Sequence, residues 1–411
     1  MKLQILDINS ADFDKDRFNE TAHYHGEPYW LNFVRPHINE IGVGIRLVPF
    51  DMIDTSSPWF ISLAPKSWTW DDNLPNLLSG FSPQIQHELL HGNAYLIINH
   101  ECESFTKSFI PKIYDSLRDT GLDYRKIIYM VAAPDVEREL DRYMSSNQLF
   151  SHQRIQTMVS THVYKRLMSS QMPSFEYPLT YNKEKKFLAL HRVARDHRIM
   201  MVSLLAYYGL LDSGYVSLGL QPGDIEGSIR ELELMRPAVP QEVFRGFELI
   251  RDRLPLQVDD VDLTVNQFNT NSLPTSFYQN SYFSVVSSTF ALSNKEPSVG
   301  FTEKEVKPIL YKPPFSIHNL PGVLKHMRSM GFMTFGKWFD ESYDDEVDDY
   351  QRLNKIVAEV ARLSQIPNHQ WDTMLREMQP ILLHNYNRLV KYNSEHSFFN
   401  SDLKNFLYYV N

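Results

Sequence analysis

Short apolar runs alternate with longer helical stretches along this chain, in two blocks, and that rhythm restricts it to α/β architectures with mainly parallel sheets. In the first block the runs at 94–98 and 126–131 read as buried strands. Helices are expected at 109–117, ended by Gly121, and at about 136–144, opened by Pro134-Asp135. The second block repeats the pattern, with strands at 187–190, 215–218, 282–286 and 315–317. Its helices are expected at 198–211, 303–310 and from Pro321, in the first turn, to Met330. Between Ser169 and Lys186 the rhythm lapses into a Ser-, Pro- and Lys-rich stretch that reads as an interdomain linker. The C-terminal stretch reads as helices, including 347–363 and 371–392. Three regions are expected: an N-terminal α/β domain over 1–175, a second over 183–365, and a helical tail over 366–411.

Composition excludes several classes. With 41 basic and 50 acidic residues the net charge is −9, which excludes a broadly basic nucleic-acid coat and leaves room for a local basic groove. The single cysteine, Cys102, can make neither an intramolecular disulfide nor a cysteine-rich zinc site, so a reducing cytoplasm is expected. The longest apolar stretch, Ile199 to Leu211, is too short to span a bilayer, and Asp7, Asp12 and Asp14 deny the start a signal-peptide core. No membrane partner is expected, and the oligomeric state is left open.

Three constellations carry chemistry. The first is His87-Glu88-Leu89-Leu90-His91, the HExxH pattern in which two histidines on one helical face share zinc while the glutamate activates water. Gly92-Asn93 ends that helix at once, and only His100, Glu101 or Glu103 offers a further ligand, so the context favours an exposed helix end without metal. A zinc hydrolase is the alternative reading. The second is His191-Arg192-Val193-Ala194-Arg195-Asp196-His197-Arg198, set between a strand and a helix, where α/β sheets place ligands. Arginine forks match phosphate oxygens, and the helix start adds free N–H groups. The third is Thr302-Glu303-Lys304-Glu305-Val306-Lys307, a capped helix start carrying both charges. Each of these two also reads as a solvated, charged helix start.

Taken in order, these segments resemble a known family. The similarity runs from Lys186-Phe187-Leu188-Ala189-Leu190-His191-Arg192, Arg195 and Arg198 through Gly214-Tyr215-Val216-Ser217 and Tyr278 to Val286. It is strongest from Phe301-Thr302-Glu303-Lys304 to Lys307-Pro308-Ile309, then Pro314-Phe315, Pro321-Gly322, Gly331-Phe332, Asp340 to Asp344, and Arg352. The family is the GT-B-type glycosyltransferases found in tailed-phage genomes, distantly similar to fucosyltransferases in the donor domain. The resemblance implies two Rossmann-like domains facing a cleft, with a C-terminal helix crossing back onto the first. It also implies that Arg192, Arg195 and Lys304 hold the donor diphosphate, that Glu303 binds the ribose, and that Arg198 or Lys307 supports them. These cations would replace a divalent metal, so no cofactor is expected beyond the nucleotide-sugar co-substrate, of which a UDP-sugar is one candidate. His191 stands where related sequences often carry Asn, and Ser287-Ser288-Thr289 replaces a more acidic ending, which leaves the sugar open.

In the first domain the similarity is confined to 92–98, followed by Glu101 and Glu103 as candidate general bases for an acceptor hydroxyl. The phage resemblance makes a hydroxymethylated base in DNA the first acceptor to consider, with a glycan or small molecule as the alternative. Arg35, Arg46, Lys66, Trp68 and Trp70 are the basic and aromatic residues that a DNA cleft would use.

Overall fold

The computed structural model describes residues 2–7, 44–63, 77–100, 109–131, 136–159, 183–219, 227, 229–230, 233, 239–258, 275–288, 291–292 and 303–394. The chain divides into two compact units, one of Met1–Arg166, Glu296–Gly300 and Glu395–Asn411, the other of Leu167–Lys295 and Phe301–Ser394. Of the expected linker, 169–186, residues 169–182 lie outside the described residues, and Lys185-Lys186 belong to a strand rather than a linker.

The first unit is built on a parallel sheet in the order β2-β1-β3-β4-β5-β6. Its strands are β1 (Lys2–Leu6), β2 (Gly44–Val48), β3 (Trp59–Leu63), β4 (Ala94–His100), β5 (Ile127–Val131) and β6 (Gln156–Val159). Every residue of β3 and β5 is buried, the signature of strands covered on both faces. The helices are α1 (Pro83–His91), α2 (Phe109–Leu117) and α3 (Val136–Ser146). Ile85 and Leu89 of α1, Ile110 and Ile113 of α2, and Val136 and Leu140 of α3 join the strand residues in one core.

The second unit carries a parallel sheet in the order β10-β9-β7-β8, with β7 (Lys185–His191), β8 (Gly214–Leu218), β9 (Ser281–Ser287) and β10 (Phe315–His318). Its helices are α4 (Asp196–Tyr207), α5 (Gln241–Ile250), α6 (Thr275–Gln279), α7 (Glu303–Tyr311), α8 (Val323–Ser329), α9 (Asp349–Ser364) and α10 (Asn368–Ser394). Both units are therefore parallel α/β layers, as the rhythm of apolar runs requires.

Two of the boundaries that differ from the sequence reading have a plain local reason. α4 stops at Tyr207 because Gly209 takes the left-handed conformation (φ 69°), and the Leu210 N–H turns back to the Leu205 carbonyl at 2.8 Å. Pro321 precedes α8 instead of sitting in its first turn, since Gly322 (φ 83°) is the residue that enters the helix. Asp344, in the short helical turn Ser342–Asp345, serves α8 from outside it. Its buried carboxylate accepts the Leu324 and Lys325 N–H groups at 2.8 and 3.0 Å and so caps α8 from a distance.

The described part of the tail, α10, packs on the second unit. Trp371 is fully buried there against Tyr282 and Phe283 of β9, and its indole N–H donates to the Leu363 carbonyl at 3.0 Å. Residues 395–411, the rest of the expected crossover, lie outside the described residues.

Candidate functional site

Connections in the second sheet diverge at its centre. From β7 the chain passes through α4 to β8 on one side, and from β9 it passes through α7 to β10 on the other. Because β7 and β9 are hydrogen-bonded neighbours, the strand order reverses between their carboxyl ends. Such a switch point opens a crevice in which α/β folds bind ligands. The amino termini of α4 and α7, which favour anions, both begin at this edge of the sheet.

The predicted donor residues gather at these two helix starts. Arg192 is exposed in the bend after β7, and half-buried Arg195 is the N-cap residue of α4. Glu303 opens α7, followed by half-buried Lys304 and Lys307. Arg198 is buried at 3% exposure, and its guanidinium donates to the carbonyls of Val193 (3.1 Å) and Ser288 (3.0 Å). It therefore ties the start of α4 to the end of β9, a positioning task.

A buried polar network, largely missed from sequence, underlies the crevice. His197 donates from Nε2 to the same Ser288 carbonyl at 2.9 Å. The Asn319 amide donates to Ser288 Oγ (2.7 Å) and to Glu305 Oε1 (3.2 Å). Glu305 is thus a hydrogen-bonded carboxylate of this helix start, and it is fully buried. Arg352 of α9, 1% exposed, donates to the carbonyls of Asn319 (2.9 Å) and Ala291 (2.8 Å). Burial, reinforced by the nearby guanidiniums, lowers His191 and His318 to about 3 and holds His197 well below the usual histidine range. All three rings are neutral at physiological pH. The resemblance had flagged His191 and Arg352; His318 and Asn319, which follow the strand read at 315–317, carried no signal.

No family model matches the chain, and no curated protein matches it in sequence. Among solved structures it is similar to a UDP-forming α,α-trehalose-phosphate synthase from Burkholderia xenovorans, at 9% identity and a TM-score of 0.39 over 86% of this chain and 75% of that one. The enzyme of that description from Burkholderia vietnamiensis aligns at 11% identity and a TM-score of 0.40, over 96% of this chain and 87% of the other. A Burkholderia xenovorans synthase in complex with glucose-6-phosphate aligns at 9% and 0.38, over 96% and 85%.

The remaining expected residues fall elsewhere. Glu101, Glu103, Arg35, Lys66, Trp68 and Trp70 lie outside the described residues, while Arg46 is exposed on β2. His87 and His91 of α1 are exposed on one helical face, ring centroids 5.1 Å apart. The end of that helix is held by Lys126, whose ammonium donates to the carbonyls of Leu89 (3.0 Å) and Gly92 (2.7 Å). Among the described residues no group of three His, Cys, Asp or Glu side chains is placed to share a metal ion, and no helix is long and apolar enough to cross a membrane.

Proposed function

We propose that this chain is a nucleotide-sugar-dependent glycosyltransferase whose second unit binds the donor, with the diphosphate in the crevice between β7 and β9. One observation carries the reading: two helices leave neighbouring strands in opposite directions there, one start bearing Arg192 and Arg195, the other Lys304 and Lys307. A nucleoside diphosphate is a good leaving group only when its developing charge is met. Cations and helix N–H groups fixed in advance meet it without reorganisation, each such donor contributing about 3–4 kcal/mol to the transition state.

In this reading Arg192, Arg195 and Lys304 hold the phosphates, Glu303 the ribose, and Arg198 and Lys307 support them. Glu101 or Glu103 takes the proton of the acceptor hydroxyl as it attacks the anomeric carbon. The acceptor supported by the phage-type resemblance is a hydroxymethylated base in DNA. The cations supply the charge compensation, so transfer proceeds in EDTA.

Isothermal titration with UDP-, GDP- and TDP-sugars tests the core of the proposal, and failure of all of them to bind rejects it. Labelled sugar transferred to hydroxymethylated DNA, but not to unmodified DNA or simple glycans, tests the acceptor. Loss of turnover in EDTA, restored by manganese, rejects the cation-only mechanism.

A further inference from the structure

On one face of the second sheet the chemistry changes abruptly along the strands. Phe187 and Phe283 pair in register near the amino ends, and Trp371 stacks on Phe283. Four residues further along each strand the same face carries His191 and Ser287, and Ser287 is itself in register with His318 of β10. His191, Ser287 and His318 thus form one row across three adjacent strands at the carboxyl edge. Their exposures are 1%, 4% and 0%. All five side-chain nitrogen and oxygen atoms of the row lie buried without a hydrogen-bond partner.

Orphaned polar atoms in such number are costly, and natural folds keep them where function uses them. The groups around the row are mostly cationic. Arg198 approaches from α4 and Arg352 from α9, while the neutral His197 ring meets His318 edge-on and has Arg195 nearby. The nearby carboxylates are engaged: Glu305 of α7 by the Asn319 amide, Asp349 of α9 by Arg352. The row therefore lies in a positive field, with imidazoles that have both nitrogens open.

We propose that this row takes up a proton from solvent when the diphosphate of a nucleotide sugar binds at the switch-point crevice, so that donor binding charges a buried histidine. The inference rests on the donor site proposed above. One negative charge about 8 Å away, at an effective dielectric of about 20, raises a histidine by about 1.5 pH units. Two such charges at that separation would lift His191 or His318 from about 3 to about 6. The neutral ring gains the proton and becomes imidazolium. When the bond between sugar and phosphate oxygen breaks, its electron pair stays on the phosphate, and the imidazolium offsets the charge gained.

The test is isothermal titration of the full-length protein with UDP-, GDP- and TDP-glucose at pH 6.5, in buffers of different ionisation enthalpy. These diphosphates do not titrate near that pH, so any proton taken up goes to the protein. About 0.2–0.3 proton per bound nucleotide is expected at that pH, rising toward one as the pH is lowered to 5. His191→Asn and His318→Asn should each retain binding, and at least one should lose half or more of the uptake. Histidine-ring 15N spectra of the unaltered protein provide a readout independent of the variants' folding: at least one neutral ring should shift to imidazolium on binding. Binding without uptake, with ring signals unchanged, overturns this inference and leaves the donor site standing. Uptake undiminished in both folded variants also overturns it, and absence of binding removes both.

Discussion

The indole of Trp371 lies on the ring of Phe283 with centroids 5.3 Å apart and planes within 14°. Tyr282 also stacks on the indole at 5.3 Å, and Phe339 meets it edge-on at 6.1 Å. The first turn of the last described helix is thereby part of the core of the second unit.

Trp371→Ala should lower the stability of that unit by about 3–5 kcal/mol, the usual result of emptying a large aromatic site. A chain ended at Gln370 should lose the cooperative unfolding of the second unit altogether. Urea denaturation followed by tryptophan fluorescence and circular dichroism checks both. A soluble, fully active truncation would contradict this packing.

Gly246 marks where α5 crosses α4. A Cβ added there would stand 1.8 Å from the Ser203 carbonyl oxygen, a backbone atom in a helix, which cannot step aside. Gly246→Ala should therefore separate the two helices and cost about 1–3 kcal/mol. A thermal melt unchanged from that of the parent protein would show that the helices are farther apart.

Lys183 gives a pH signature. It is 7% exposed, its ammonium donates to the Gln279 carbonyl, and burial outweighs the favourable charge of Asp372 to bring it down to about 8. Between pH 8 and the ordinary lysine value of 10.5 the unfolded chain holds a proton that the folded one has lost, so folding is favoured increasingly as pH rises. The wild type should gain on Lys183→Met by about 1.4 kcal/mol per pH unit across that window and show a constant difference below it. Parallel urea titrations from pH 7 to 10.5 measure the slope, and a flat difference would contradict the lowered lysine.

All four strands of the second sheet, its edges β8 and β10 included, were legible in the sequence along with β4 and β5, whereas β1, β2, β3 and β6 of the first sheet were not. β4, β5, β7 and β9 are covered on both faces and so appear as continuous apolar runs. The edges β2 (GIRLV) and β6 (QTMV) bury less, mix polar with apolar residues, and show no run to find. Ser62 similarly weakens β3. The helix starts bearing Arg192 and Lys304 were legible because charges clustered after an apolar run are a local pattern. The row His191–Ser287–His318 was not, because only strand register brings those three positions together.

Arg198 and Arg192 separate fold from chemistry. Arg198→Ala removes the donor to Val193 and leaves the Ser288 carbonyl with His197 alone, which should cost about 2–4 kcal/mol of stability. Arg192 is exposed beyond the strand end, so Arg192→Ala should leave the melting temperature almost unchanged, within about 0.5 kcal/mol. In the proposed reaction Arg192 meets the charge developing on the leaving diphosphate, and its loss should lower kcat by about 100–1000-fold. Lys304→Ala at the facing helix start should behave in the same way. Turnover and melting measured on the same preparations decide the matter: near-normal turnover in both folded variants would remove the diphosphate from this crevice, whereas a stable, active Arg198→Ala would show that the link from α4 to β9 does not position the site.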